Sequence, residues 1–270
     1  MSNDSSAIYL FCFARRHRLP VFEVGGLDHR HPVSFWAFKD IVAVLGMSSL
    51  EDFCGPEAEN RMKDLAWIGP RVCRHEEVVE EVMRRSPAFP ARFGTIFSSL
   101  DALEKLLDVH YDKISRFLDK AADKEEWAVK GLLNRVQTRT SFSTLMLSRE
   151  EGRLASLSPG KRYLAEQRIR SSADRELNIW LNGIIKGIGD DLCRHSSEFR
   201  ERKVLSPDSE AMEMVLNWAF WTAREDADDF RARVDRANEQ NDRQGLLLQL
   251  SGPWPPYSFL PNLDLVTGEQ

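Results

Sequence analysis

The chain has 270 residues, 42% hydrophobic and 29% charged, with a formal net charge of −5 and a pI near 5.8. That length supports one large domain or two ordinary ones, each with a real core, and the composition is that of a globular protein. The acidic balance argues against chain-wide attraction to nucleic acid or an anionic membrane.

Four scattered cysteines, Cys12, Cys54, Cys73 and Cys193, show no CxxC spacing. They read as reduced thiols of a cytoplasmic protein rather than a disulfide scaffold. The opening "MSNDSSAIYLFCFARR" carries its charges after a short apolar run, which suits a first strand better than a signal peptide. No stretch approaches the roughly 18 apolar residues of a membrane-spanning helix.

Ala7 to Ala14 is apolar on both faces and reads as a central strand. Pro20 to Val24 is a short candidate strand closed by the Gly25-Gly26 turn, and Val33 to Phe38 with Ile41 to Leu45 make two more around Lys39-Asp40. Residues 57–86 read as helix, with a break or kink expected at Gly69-Pro70. "ARFGTIF" at 91–97 reads as a strand, where Gly94 suggests a bulge or a close backbone approach. From Ser99, residues Leu103, Leu106, Leu107, Tyr111, Ile114, Phe117 and Leu118 fall on one helical stripe, and Asp101 favours the first turn. The polar run 119–126, "DKAADKEE", is the best boundary between two domains, 1–120 and 121–270.

The second half opens with a strand expected over Glu126 to Arg139, with a bulge at Gly131. Ser158 then reads as the N-cap and Pro159 as the first residue of a long helix. Its stripe is Leu177, Trp180, Leu181, Ile184, Ile185, Ile188 and Leu192, loosened at Gly187 and Gly189. A strand at Val215 to Ala223, a polar amphipathic helix showing Ala227, Phe230, Val234 and Ala237, and a last strand at Leu246 to Leu250 complete the order. Strands alternating with helices around a small sheet point to a ferredoxin-like α+β sandwich, with a small mixed or antiparallel sheet in the first half.

No constellation compels a catalytic reading. Asp28, His29 and His31, and the Cys73/His75 pair, lack a second pair of ligands at metal-site spacing. "KGIGDD" at 186–191 lacks the third glycine and the preceding strand of a dinucleotide loop. Carboxylate pairs such as Glu76-Glu77, Glu80-Glu81 and Asp228-Asp229 read as solvated helix faces. Trp218 and Phe220 share one strand face, where exposed rings would stack bases as in RNA-recognition modules. Acidic neighbours from Glu213 to Asp229 disfavour phosphate, so core burial is the expectation. Arg92, between apolar residues, is either half-buried and paired with a helix carboxylate or placed at a partner interface.

Residues 250–259, "LSGPWPPYSF", hold three prolines and three aromatics. Prolines remove donors and fix φ, so the segment reads as a stiff polyproline II strap rather than sheet interior or helix. Trp254 and Tyr257 are its expected anchors. It serves either as a clamp within the fold or as a surface for another protein, with the clamp favoured because exposed aromatic patches are costly.

"LSGPWPPYSF", with "FPARFGTIFSS" at 89–99 and "GKRYLAEQR" at 160–168, resembles the signatures of the gas vesicle protein F/L family, in that family's order and spacing. The first strand lacks the family's Tyr-Gly ending, and residues 38–60 match nothing specific. The resemblance implies a non-enzymatic accessory or minor structural protein of gas vesicles, the protein-walled flotation organelles of some aquatic microbes. It implies two α+β domains, the second ferredoxin-like, and partners among the shell protein and other gas vesicle proteins. No cofactor, metal, nucleic acid, membrane or small-molecule substrate is expected, and the location is cytoplasmic, at the gas vesicle. The competing reading is a ferredoxin-like nucleic-acid-binding or regulatory module. Candidate interface or structural positions are Arg92, Phe93, Gly94, Tyr163, Gly252, Pro253, Trp254, Pro255, Pro256, Tyr257 and Phe259.

Overall fold

A computed structural model describes residues 6–19, 23–27, 31–204 and 212–263. It shows a mixed α+β protein with two antiparallel sheets. The chain separates into two compact units, 1–125 together with 253–270, and 126–252.

In the first unit, β1 (Ser6–Arg15) is the central strand expected from its two apolar faces. It pairs antiparallel with β3 (Ile41–Ser49), which pairs in turn with β2 (Ser34–Phe38) across a turn whose Lys39 has φ 53°. Two-residue hairpin loops favour positive φ, and Lys39 and Asp40 supply this one. The expected strand at 20–24 lies largely outside the described residues, as do Asp28 and His29. The register of β1 shifts between Leu10 and Cys12. Through that bulge Tyr9, Phe11, Cys12 and Ala14 all join one cluster with Val78, Val79 and Val82.

The short helices α1 (Leu50–Phe53) and α2 (Ala58–Lys63) lead to α3 (Leu65–Met83). The break in this region falls at Asp64, not at Gly69-Pro70. Asp64 accepts a hydrogen bond from the Ala66 N–H at 2.9 Å and starts a new helix, which then runs through Pro70. Of the strand expected at 91–97 only β5 (Ile96–Phe97) forms; a second short strand, β4 (Ala88–Pro90), precedes it, and both pair with β1. Between them is a turn closed by Thr95 N–H to Arg92 O at 3.1 Å. Gly94 makes the turn with φ 84°, and a Cβ there would lie 3.3 Å from Phe53. α4 (Leu100–Lys120) comes next, N-capped by Ser99 and buried along Leu103, Leu107, Ile114 and Phe117. Arg15, buried at the end of β1, ties the β2–β3 turn to α4 through Asp40, Asp119 and Ser115.

In the second unit β6 (Lys124–Leu133) ends earlier than the expected 126–139 strand. Asn134 accepts from the Gln137 N–H at 3.0 Å and opens α5 (Arg135–Arg149), with α6 (Glu151–Ala155) directly after it. α7 (Pro159–Arg194) starts at Pro159 as its φ allows, but the Ser158 side chain makes no cap. It is continuous through Gly187 and Gly189, and Gly189 lets the helix approach Trp218, whose ring would lie 3.3 Å from an added Cβ. β7 (Glu198–Glu201), β8 (Glu213–Ala223), α8 (Ala227–Asn241) and β9 (Leu246–Trp254) complete the unit in the sheet order β7-β8-β6-β9. Trp218, Phe220, Phe230 and Val234 form its core, as their burial tendency predicts. The Asn238 side chain pairs with both backbone groups of Leu248, at 2.6 and 2.8 Å, closing that point of the β9 edge.

Gly131 shows no left-handed φ; instead a Cβ there would lie 2.6 Å from Leu216 Cγ on the neighbouring strand. Leu216 is itself buried, so Gly131→Ala is expected to lower stability by about 1–3 kcal/mol in chemical denaturation. An unchanged midpoint would show that this core gives way more easily than its packing suggests.

Candidate interaction surface at the anchored terminal segment

β9 carries the terminal motif further into regular structure than its prolines suggest. The strand continues through Ser251, Gly252 and Pro253 to Trp254, which an edge strand tolerates because proline need not donate outward. Past Trp254 the chain bends instead of running on as polyproline II. Pro256 has φ −76° and ψ 49°, and the Tyr257 N–H reaches the Pro255 carbonyl at 2.7 Å, an inverse γ-turn that leads into the single turn Tyr257–Phe259. The bend buries Pro255, Pro256 and Phe259. Of the two expected anchors Tyr257 is the one held inward, whereas Trp254 is 39% exposed.

Tyr257 is fixed by a chain of polar groups in the first unit. Its hydroxyl lies 3.0 Å from His75 Nε2, which also lies 3.1 Å from the Ala91 carbonyl. His75 Nδ1 is 2.8 Å from the Tyr9 hydroxyl, and that oxygen accepts the Gly94 N–H at 3.2 Å. A proton on Nε2 satisfies every member: Gly94 N–H donates to Tyr9, Tyr9 to Nδ1, and Nε2 to Ala91. Tyr257 then donates to Glu76. Burial pushes His75 down to about 4 and both tyrosines above their ordinary range. It also raises Glu76, against the lowering effect of the Tyr257 hydrogen bond.

Phe11 stacks on His75, Phe93 packs edge-on against Tyr9 and His75, and Phe53 packs tilted against Tyr9. The 89–97 segment and the terminal motif therefore meet on one polar hub. Sequence reasoning missed Tyr9, His75 and Glu76 as members of it. The available signal was spacing, because His75 precedes Val78, Val79 and Val82 on the buried face of α3.

Beside the hub lies a half-open groove of about 550 Å³. Leu10, Phe13 and Phe89 form its floor, and Phe97, Leu106 and Leu260 are among its walls. Arg92 stands on the lining, exposed, and its guanidinium makes no hydrogen bond or ion pair among the described residues. The pairing with a helix carboxylate is thus not found, because Arg92 lies in the turn rather than in a strand facing a helix. Tyr163, on α7, is 62% exposed and belongs to the other unit. Trp218 and Phe220 are buried in the second core, so the stacking face imagined for a nucleic-acid module is not available. Among the described residues no cluster of three metal-ligating side chains occurs, and no helix is long and apolar enough to cross a membrane.

These features define a two-sheet α+β protein whose proline–aromatic terminal segment is built into the unit of its first sheet. The chain belongs to the gas vesicle synthesis protein GvpL/GvpF family, whose model matches residues 7–261. It is 26% identical over 230 residues to gas vesicle protein L of a Streptomyces species, covering 82% of this chain and 80% of that one. With gas vesicle protein F of the same source the identity is 30% over 202 residues, 69% and 75% of the two chains. The fold is similar to the crystal structure of the gas vesicle protein GvpF from an Anabaena species, with TM-score 0.67, 20% identity, and 96% and 97% of the chains covered. Family membership gives the chain a role in gas vesicles, and with them buoyancy.

Proposed function

We propose that this chain is a non-enzymatic accessory or minor structural protein of gas vesicle assembly. It acts in the cytoplasm at the gas vesicle and binds the shell protein, other gas vesicle proteins, or both. The observation that carries this reading is the fixed groove of the first unit, where the Arg92–Thr95 turn and the Tyr257-anchored segment line one partly apolar concavity. A rigid wall loses little entropy on binding, and apolar pockets with an arginine are typical anchoring points between proteins.

The second unit is read as a ferredoxin-like domain. Its element order β-α-β-β-α-β and sheet order β7-β8-β6-β9 support this, and the division of the units at Glu125–Glu126 supports a boundary within 119–126.

The test is deletion of the gene in a gas-vesicle-forming host, with the sister F and L genes also accounted for. Cells should lose buoyant vesicles and regain them on complementation with the wild-type chain. Normal buoyancy without it would remove the assembly role.

A further inference from the structure

The groove beside Arg92 carries more information than that a protein binds there. Among the described residues Arg92 is the only charged one lining it, and no carboxylate meets its guanidinium. The remaining lining is partly apolar, with Leu10, Phe13 and Phe89 beneath and Phe97 and Leu106 half-buried at the sides, and it includes the neutral polar residues Thr95, Tyr257, Ser258 and Asn262. One turn along α4 from Leu106, Val109 is 76% exposed and continues the apolar strip beyond the groove. The opposite wall is held at both ends, by Tyr257 on His75 and by the Asn262 carbonyl, which accepts from Lys113 Nζ at 3.4 Å. The surface is thus a preorganised, partly apolar trough with one cation on its lining.

On the reading given above, that this groove binds gas vesicle proteins, we infer that its occupant is a peptide segment presenting an apolar side chain next to a carboxylate. The apolar side chain fills the trough between Leu106 and the terminal wall. The carboxylate lies across the Arg92 guanidinium, whose planar fork matches a two-oxygen acceptor. Charge complementarity selects this occupant, because the described lining offers no acid to receive a basic segment.

The inference is tested by photo-crosslinking in gas-vesicle-forming cells, with Leu106→p-benzoylphenylalanine as the probe. Val109→p-benzoylphenylalanine serves as a second probe at a site exposed enough to spare the fold. Mass spectrometry of the adduct should identify a segment of another gas vesicle protein carrying apolar residues beside Asp or Glu. The yield should fall about tenfold in Arg92→Glu and largely survive in Arg92→Lys.

An adduct lacking an acid, equal yields in Arg92→Glu, an adduct with a second copy of this chain or with its own residues 264–270, or no adduct from either probe would each overturn the inference. Co-purification of gas vesicle proteins with the full chain is scored in parallel. If it persists while the crosslinks fail, only the identity of the occupant falls and the accessory role stands.

Discussion

Between pH 6.5 and about 4, the wild-type chain is expected to lose about 3 kcal/mol of stability relative to a His75→Gln variant. His75 is fully buried, and its folded value lies near 4 against 6.5 in the unfolded chain. Above pH 6.5 it is neutral in both states and its network is intact. As pH falls through the window, the unfolded chain takes up a proton that the folded chain refuses, so the loss lies on the acid side. Glu76 works in the opposite direction, because its raised value lets the folded state take up a proton as the pH drops. The net acid sensitivity of the wild type is therefore smaller than the His75 share, and the comparison with the variant isolates that share. Denaturation midpoints of both chains from pH 7.5 to 4 decide it. Parallel curves would mean that His75 is not held neutral by this network.

The second large effect concerns the anchor itself. Tyr257→Ala removes a half-buried ring and leaves His75 and Glu76 without the hydroxyl that joins them. Truncating a buried aromatic costs about 3–5 kcal/mol, and partial exposure brings the expectation to about 2–3 kcal/mol. The loss should be local before it is global. Hydrogen exchange at the Phe259 amide, which bonds the Pro256 carbonyl at 3.2 Å, should accelerate strongly, while exchange in β8 stays as it was. Tyr257→Phe separates the two contributions, since it retains the ring and loses only the hydrogen bonds, at about 1–2 kcal/mol. If Phe259 exchanges no faster in Tyr257→Ala, the segment is held by something other than this hub.

Much of this architecture was legible from periodicity. The two-faced apolar run of β1, the stripe of α4 with Ser99 at its start and the aromatic strand β8 all carry strong local signals. The mismatches arise where context overrides local chemistry. Residues 134–139 look like the end of a strand, yet Asn134 with Gln137 three residues later is a helix start that the preceding strand obscures. Pro70 looks like a helix breaker, yet Asp64 caps the helix that passes through it. Pro253 looks incompatible with a sheet, but β9 lies at an edge where the missing donor is tolerated.

The site was legible only in outline. "FPARFGTIFSS" and "LSGPWPPYSF" stand out as motifs, but nothing in them shows that Gly94 and Tyr257 meet through Tyr9 and His75. Hydrogen bonds between residues as far apart as 75 and 257 leave no periodic trace in sequence.

The most direct measurement is the amount of gas vesicle proteins, shell protein included, that co-purifies with the tagged full chain from gas-vesicle-forming cells. The wild type should retain them. Arg92→Glu, on an exposed turn position that leaves the core untouched, should retain at least about fivefold less at unchanged thermal stability. Equal recovery with both chains, or none with the wild type, would contradict the account of this groove as the surface through which the chain serves gas vesicle assembly.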